Sequence, residues 1–90
     1  MSCDIMTRVR FAQTEPTQKL ALLDLADNTG EGYEWGVGIA TLAAVACCTE
    51  IEAREALQKL QQLGWLENVR ETRAGYFEGA FSKDAIGVRA

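Results

Sequence analysis

The chain has 90 residues, of which 48% are hydrophobic, and its 9 basic and 13 acidic residues give a formal net charge of −4. This length and composition indicate one ordinary globular domain spanning residues 1–90. The acidic balance argues against tight non-specific binding to nucleic acid, because such binding depends on neutralising phosphates.

Residues that carry reactive chemistry are few. There are three cysteines, among them the adjacent Cys47 and Cys48, and no histidine. An odd cysteine count without a CxxC pair predicts neither a disulfide framework nor a zinc site, and it favours a reducing cytoplasm. We expect a protein that is not an enzyme and needs no cofactor or metal, since no nucleophile or phosphate-binding motif occurs. We also expect no membrane partner, because no apolar run approaches the roughly 20 residues of a membrane span.

The first part of the chain predicts an arm and a helix. Residues 1–13 alternate weakly between apolar and polar side chains, which indicates a loose N-terminal arm or a short strand. Leucines at helical spacing predict a helix over 17–27, and we expect Thr14 or Thr17 to cap it. The stretch 28–30, Asn-Thr-Gly, should end this helix, because Asn and Gly tolerate a left-handed backbone.

A glycine-rich loop and a short buried helix are predicted next. Residues 31–38, EGYEWGVG, indicate a loop in which Tyr33 or Trp35 covers an edge of the core. The almost wholly apolar stretch 39–46 predicts a short helix that is buried on most sides. The cysteine pair at 47–48 then forms a turn.

The third predicted helix covers residues 49–63. Thr49 and Glu52 have the spacing of a capping box, and alanines and leucines from Ala53 onward form one apolar stripe. Gly64 suits the position just after the helix, with Trp65 folding back onto it.

A β-hairpin over 65–83 completes the predicted fold. Two short strand-like stretches flank the turn at 72–75. The order of helix, short helix, helix and hairpin predicts a mainly α domain with a small β-hairpin, a winged helix-turn-helix.

Several stretches in this order resemble a known family, the phage- and plasmid-type helix-turn-helix domain of replication initiators and related small proteins. The matching stretches are KLALLDLAD at 19–27, Gly30, Trp35, IATLA at 39–43, Thr49 and REALQKLQQLGWL at 54–66. The resemblance covers about residues 1–67. It implies a winged helix-turn-helix that binds DNA in phage replication or transcription control.

The sequence departs from the family pattern where that family would face DNA. The glycine of the family's turn is Cys47 here, and an Arg-Thr pair near the start of the third helix is Ile51-Glu52. The basic pair that follows it in the family is Arg54-Glu55. The family's core positions are therefore kept, while most donors for phosphate or guanine are lost.

These residues leave two functions open. In the first, the third helix enters the major groove of double-stranded DNA, a few of its residues lie nearest the bases, and two arginines of the hairpin meet phosphates. A homodimer would compensate for weak binding at a single site. The residues nearest the bases would be Thr49, Glu50, Ile51, Arg54 and Gln58. The candidate residues for binding either DNA or a partner are Thr49, Glu50, Ile51, Glu52, Arg54, Glu55, Gln58, Arg70 and Arg73.

The second function is that of an acidic protein-binding module on a scaffold that no longer reads DNA. Its acidic face around Glu50, Glu52 and Glu55, which Glu31 and Glu34 could extend, would dock on a basic protein partner. A phage inhibitor of a host nucleic-acid-binding machine, such as an anti-CRISPR protein, would have this character.

Overall fold

A computed structural model describes residues 9, 13–30 and 33–82. In this part of the chain, three helices accompany a three-stranded antiparallel sheet, so the fold is α/β. In chain order the elements are α1 (Pro16–Asp27), β1 (Glu34–Gly38), α2 (Ile39–Val45), α3 (Glu50–Gln62), β2 (Leu66–Arg73) and β3 (Tyr76–Phe81). The three helices lie within two residues of the predicted spans, but the sheet is larger than the predicted hairpin.

The strand β1 corrects the prediction of a loop over 31–38. Its Trp35 and Val37 are buried, while Glu34, Gly36 and Gly38 are not, as the period of two in a strand requires. β1 pairs antiparallel with β3, which places Trp35 directly opposite Gly79. The glycines of β1 lower its intrinsic strand propensity, and pairing with β3 overrides that preference. Of the two aromatic residues expected to cover an edge of the core, Tyr33 is partly buried and packs against the core, and Trp35 is itself a buried member of it.

The N-terminus of α1 differs from the prediction. Its N-cap is Glu15, and no side chain caps the helix, so neither Thr14 nor Thr17 acts as predicted. Pro16 stands in the first turn instead, where its missing N–H has no helical partner to lose and its fixed φ suits the helix.

The C-terminus of α1 is closed by side chains. Asn28 has a φ of −95°, so the left-handed conformation expected at the end of this helix does not occur there. Its side-chain amide donates to the carbonyl of Asp24 at 2.8 Å, and the buried Thr29 hydroxyl donates to the carbonyl of Leu25 at 2.7 Å. The same two carbonyls also accept the backbone N–H of Asn28, at 3.1 and 3.2 Å, so the last turn of α1 is closed by backbone and side-chain donors together.

The end of α3 follows the sequence closely. Gly64 has a φ of +89°, and its N–H donates to the carbonyl of Gln61 at 3.1 Å. The N–H of Trp65 donates to the carbonyl of Leu60 at 3.0 Å. This pair of bonds is a Schellman motif, and Trp65 packs against the core as predicted.

The core lies between the three helices and one face of the sheet, whose strand order is β1-β3-β2. Its largest fully buried side chains are Phe81, Leu22, Leu25, Leu42, Leu57, Leu60 and Val9. Val9 and Gln13 are the described residues of the predicted arm over 1–13, and Val9 is helical. At that position the chain is therefore neither a loose arm nor a strand; the rest of the predicted arm, and the end of the hairpin at residue 83, lie outside the described residues.

The hairpin is attached to the helices at its tip. β2 continues to Arg73, so the turn is shorter than the predicted 72–75 and consists of Ala74 and Gly75. The carbonyl of Gly75 accepts the N–H of Ile39 at 2.7 Å, which ties the tip to the start of α2. The β2–β3 hairpin thus has a fixed position relative to α2.

Candidate functional site

Residues 46–49 form a tight connection between α2 and α3. Cys47 has a φ of +56°, a left-handed conformation that favours glycine. The N–H of Cys47 donates to the carbonyl of Ala44 at 3.3 Å, and that of Cys48 donates to the carbonyl of Ala43 at 2.9 Å. α2 therefore ends in a Schellman motif with cysteine at the position where glycine is usual.

Replacing Cys47 with glycine is expected to raise the free energy of unfolding by roughly 0.5–1 kcal/mol, because glycine adopts this conformation without the Cβ conflict. Urea unfolding of the Cys47→Gly and Cys47→Ala variants measures the effect. Alanine keeps a Cβ in the same backbone and removes the thiol, so it is the matched control. A glycine variant no more stable than the alanine variant would show that the turn carries no such strain.

One of the two cysteines, Cys48, has little thiolate character. Cys47 is exposed, and Cys48 is partly buried. Burial first, and then the Glu52 carboxylate, raise the pKa of the Cys48 thiol. A raised thiol pKa reduces the reactive thiolate fraction at neutral pH.

Thr49 and Glu52 form the predicted capping box at the start of α3. The N–H of Glu52 donates to the Thr49 hydroxyl at 3.1 Å, and the N–H of Thr49 donates to Glu52 Oε1 at 3.0 Å. Hydrogen bonds to the Glu52 carboxylate, first from the Thr49 backbone and then from its side chain, lower the pKa of Glu52. Glu52 is therefore a charged cap, and its carboxylate is partly occupied within its own helix.

The face of α3 that points away from the core is polar, and its three carboxylates outnumber its two cations. Ala53, Ala56, Leu57 and Leu60 are buried, as the predicted stripe requires. Ile51 is 70% exposed, the most exposed of the large apolar side chains that the structure describes. Exposed beside it are Glu50, Arg54, Glu55, Gln58 and Lys59.

Arg54 is held by a residue that the sequence reading did not single out. Its Nη1 lies 3.2 Å from Glu71 Oε1, and its Nη2 lies 3.4 Å from Glu71 Oε2. Glu71 Oε2 also accepts the N–H of Gly75 at 2.8 Å. The guanidinium lies over the Phe77 ring, 5.2 Å from its centroid. Hydrogen bonds from Arg54 and then from the Gly75 N–H lower the pKa of Glu71. The contact is therefore a bidentate ion pair between α3 and β2.

A β-bulge decides which β2 side chain meets α3. Leu66 pairs with the buried Phe81, and strict alternation from there would turn Arg70 toward the helices. Asn68 instead has a φ of +58°, and the register shifts between Glu67 and Arg70. The extra residue reverses the alternation, so Glu71 faces α3 and Arg70 faces away.

The two hairpin arginines lie on the outer face of the sheet. Arg70 pairs with Glu78, and Arg73 pairs with Tyr76, whose ring centroid is 4.6 Å from the Arg73 guanidinium carbon. The neighbouring β3 residue, Phe77, packs toward the core, so Tyr76 and Glu78 point the other way. The candidate residues between Thr49 and Gln58 therefore lie together on α3. The other two candidates, Arg70 and Arg73, lie on the outer face of the sheet and are not part of the exposed face of α3.

Comparisons with protein-family models, with curated proteins and with solved structures gave no match to this chain. Within residues 9, 13–30 and 33–82, no helix is both long and apolar enough to cross a membrane. The same residues contain no cluster of three His, Cys, Asp or Glu side chains suited to holding a metal ion.

Proposed function

We propose that this chain is a non-enzymatic winged helix-turn-helix protein of phage or mobile-element type that binds double-stranded DNA in replication or transcription control. The observation that carries the proposal is the α2–turn–α3 unit. Two helices joined by a turn of three or four residues, often with a glycine in it, are the usual form of this DNA-binding motif. Here the turn covers residues 46–49, and Cys47 has the backbone of that glycine.

The rest of the fold supports the same proposal. The second helix of such a unit enters the major groove, and α3 has one side that is exposed to solvent. The hairpin β2–β3 follows α3 directly and would be the wing, with β1 as a third strand in its sheet. The resemblance of KLALLDLAD and REALQKLQQLGWL to the phage and plasmid helix-turn-helix family agrees with this arrangement.

In this docking, Ile51 and Gln58 would lie nearest the bases, and the Arg54 guanidinium, which lies beside the hairpin, would meet a neighbouring phosphate. Gln58 can bond to adenine, and Ile51 can contact a thymine methyl group. Glu55 can accept from cytosine N4, so one acidic residue on this face is compatible with base reading. Arg73, next to the turn of the hairpin, is the basic residue of the proposed wing closest to its tip.

Arg54→Ala is expected to weaken binding to a labelled random-sequence duplex several-fold, up to about tenfold at roughly 50 mM salt, and to make the salt dependence shallower by about one unit of slope. The variant loses a cation and leaves the Glu71 carboxylate unpaired beside the DNA. Fluorescence anisotropy at roughly 50 and 200 mM salt measures both quantities. Lys19→Ala, which removes the same charge from α1, is the control. Equal affinities for the Arg54 and Lys19 variants would rule out docking through α3.

A second function, an acidic module that binds a basic protein, is favoured by one specific observation. Arg54 is already paired with Glu71, so the α3 face presents Glu50 and Glu55 with Lys59 as the remaining cation. Complementary potentials would guide such a face onto a nucleic-acid-binding surface of another protein. An inhibitor of a host nucleic-acid-binding machine fits this chemistry.

A further inference from the structure

We propose that Glu71 sets the DNA affinity of this chain by competing with phosphate for Arg54. The inference rests on the DNA-binding function proposed above. It assigns a specific role to a hairpin residue that contributes no contact to DNA itself.

The geometry of the pair resembles an arginine on a phosphate. Each of the two terminal guanidinium nitrogens of Arg54 lies near a different carboxylate oxygen of Glu71, at 3.2 and 3.4 Å. Arginine binds carboxylate and phosphate with the same planar fork. Glu71 therefore occupies the donors of Arg54 that a DNA backbone would use.

The pair is accessible, so exchange with phosphate is feasible. The side chains of Arg54 and Glu71 are 43% and 37% exposed. Exposed ion pairs of this kind are weak, because water and salt screen them. Phosphate can replace the carboxylate without leaving the guanidinium unbonded.

The Glu71 carboxylate is held in place by a second hydrogen bond, which does not involve Arg54. The N–H of Gly75 holds its Oε2 at 2.8 Å, and Gly75 is tied in turn to Ile39 at the start of α2. A phosphate that binds Arg54 would therefore lie next to the Glu71 carboxylate, which stays in its position. The bulge at Asn68 creates this arrangement, because without it Arg70 would stand where Glu71 stands.

Four proteins test the inference: the native chain, Glu71→Gln, Glu67→Gln, and Glu71→Gln combined with Arg54→Ala. Glu67 is an exposed carboxylate of the same strand, and it makes no ion pair with another residue of the described parts of the chain. Its variant removes the same charge from β2 without releasing Arg54. Each protein is titrated into the labelled duplex at several salt concentrations, after thermal unfolding has shown that it is folded.

Glu71→Gln is expected to bind about three- to tenfold more tightly than the native chain at roughly 50 mM salt, with a salt slope steeper by up to about one. Glu67→Gln should change the affinity by less than about twofold, since it acts only through the screened field. The gain should disappear in the double variant, because Arg54 is the group released.

The outcomes separate this inference from the proposed function. If the native chain binds DNA and Glu71→Gln binds no more tightly than Glu67→Gln, the inference is wrong and the DNA-binding function stands. Weaker binding by Glu71→Gln would also overturn it, and would make Glu71 a brace that positions Arg54. If Glu71→Gln binds and the native chain does not, the inference stands and DNA binding by the native protein falls. Absence of binding by all four proteins overturns both.

Discussion

Replacing Gly79 with alanine is expected to lower the free energy of unfolding by about 2 kcal/mol, because the added methyl group has no space. A Cβ at residue 79 would lie 2.7 Å from Trp35 Cζ2 and 3.1 Å from Trp35 Cη2. Trp35 is only 3% exposed and belongs to the core, so its ring cannot move aside without disturbing close-packed neighbours. Residue 79 is glycine because the Trp35 side chain, which extends from β1, lies against β3 at this position.

Gly36→Ala is the matched control for this prediction. A Cβ at Gly36 would first meet Tyr76 Oη, the end of a half-buried side chain on the outer face of the sheet. That ring can turn toward solvent, so the cost should be clearly smaller than at Gly79. Urea unfolding of both variants measures the difference. If both variants lost the same free energy of unfolding, the cost would come from replacing any glycine in the sheet. The contact with Trp35 would then not explain the cost at residue 79.

The helices could be predicted from the sequence because their signals are local. In α3, the capping box of Thr49 and Glu52 marks the start, the stripe from Ala53 to Leu60 marks the buried face, and Gly64 marks the end. Each of these signals works within one or two turns of the same helix. The observed helix, Glu50–Gln62, therefore differs from the predicted 49–63 only at its ends.

The strand β1 could not be predicted in this way. Its sequence, EWGVG, has too many glycines to favour a strand. It becomes a strand because β3 offers it a hydrogen-bonding partner and Gly79 leaves room for Trp35. β3 lies about forty positions further along the chain, so no local pattern predicts this pairing.

The pairing of Arg54 with Glu71 escaped prediction for a related reason. The helical periodicity shows that Arg54 is exposed, but it does not identify a partner on another element. The alternation of β2 would have assigned Arg70 to that side, and the left-handed Asn68 reverses it. Asparagine tolerates a left-handed backbone, so Asn68 was the one available signal for a bulge, and it is a weak one.

Glu50→Lys combined with Glu55→Lys is expected to raise the affinity for the random duplex by about a hundredfold at roughly 50 mM salt, because two new phosphate contacts each release about one counterion. The salt slope should become steeper by about two. Both residues are exposed on α3, and the capping pair of Thr49 and Glu52 is left in place. Fluorescence anisotropy against salt measures the change, and thermal unfolding checks that the variant remains folded.

Asp27→Lys combined with Glu34→Lys makes the same change in net charge outside α3 and is the control. Both residues are exposed, one at the end of α1 and the other at the start of β1. If the α3 variant gains no more affinity than this control, α3 does not face the duplex, and docking through it is wrong.

A large gain in affinity has two meanings, which depend on the native chain. If the native chain already binds DNA, the gain would mean that Glu50 and Glu55 weaken the binding of a functional DNA-binding protein. A large gain from a native chain that does not bind would mean that these carboxylates alone block DNA, which favours the protein-binding function. The same variant should then lose its affinity for a basic protein partner, since the acidic face that guides their association is gone.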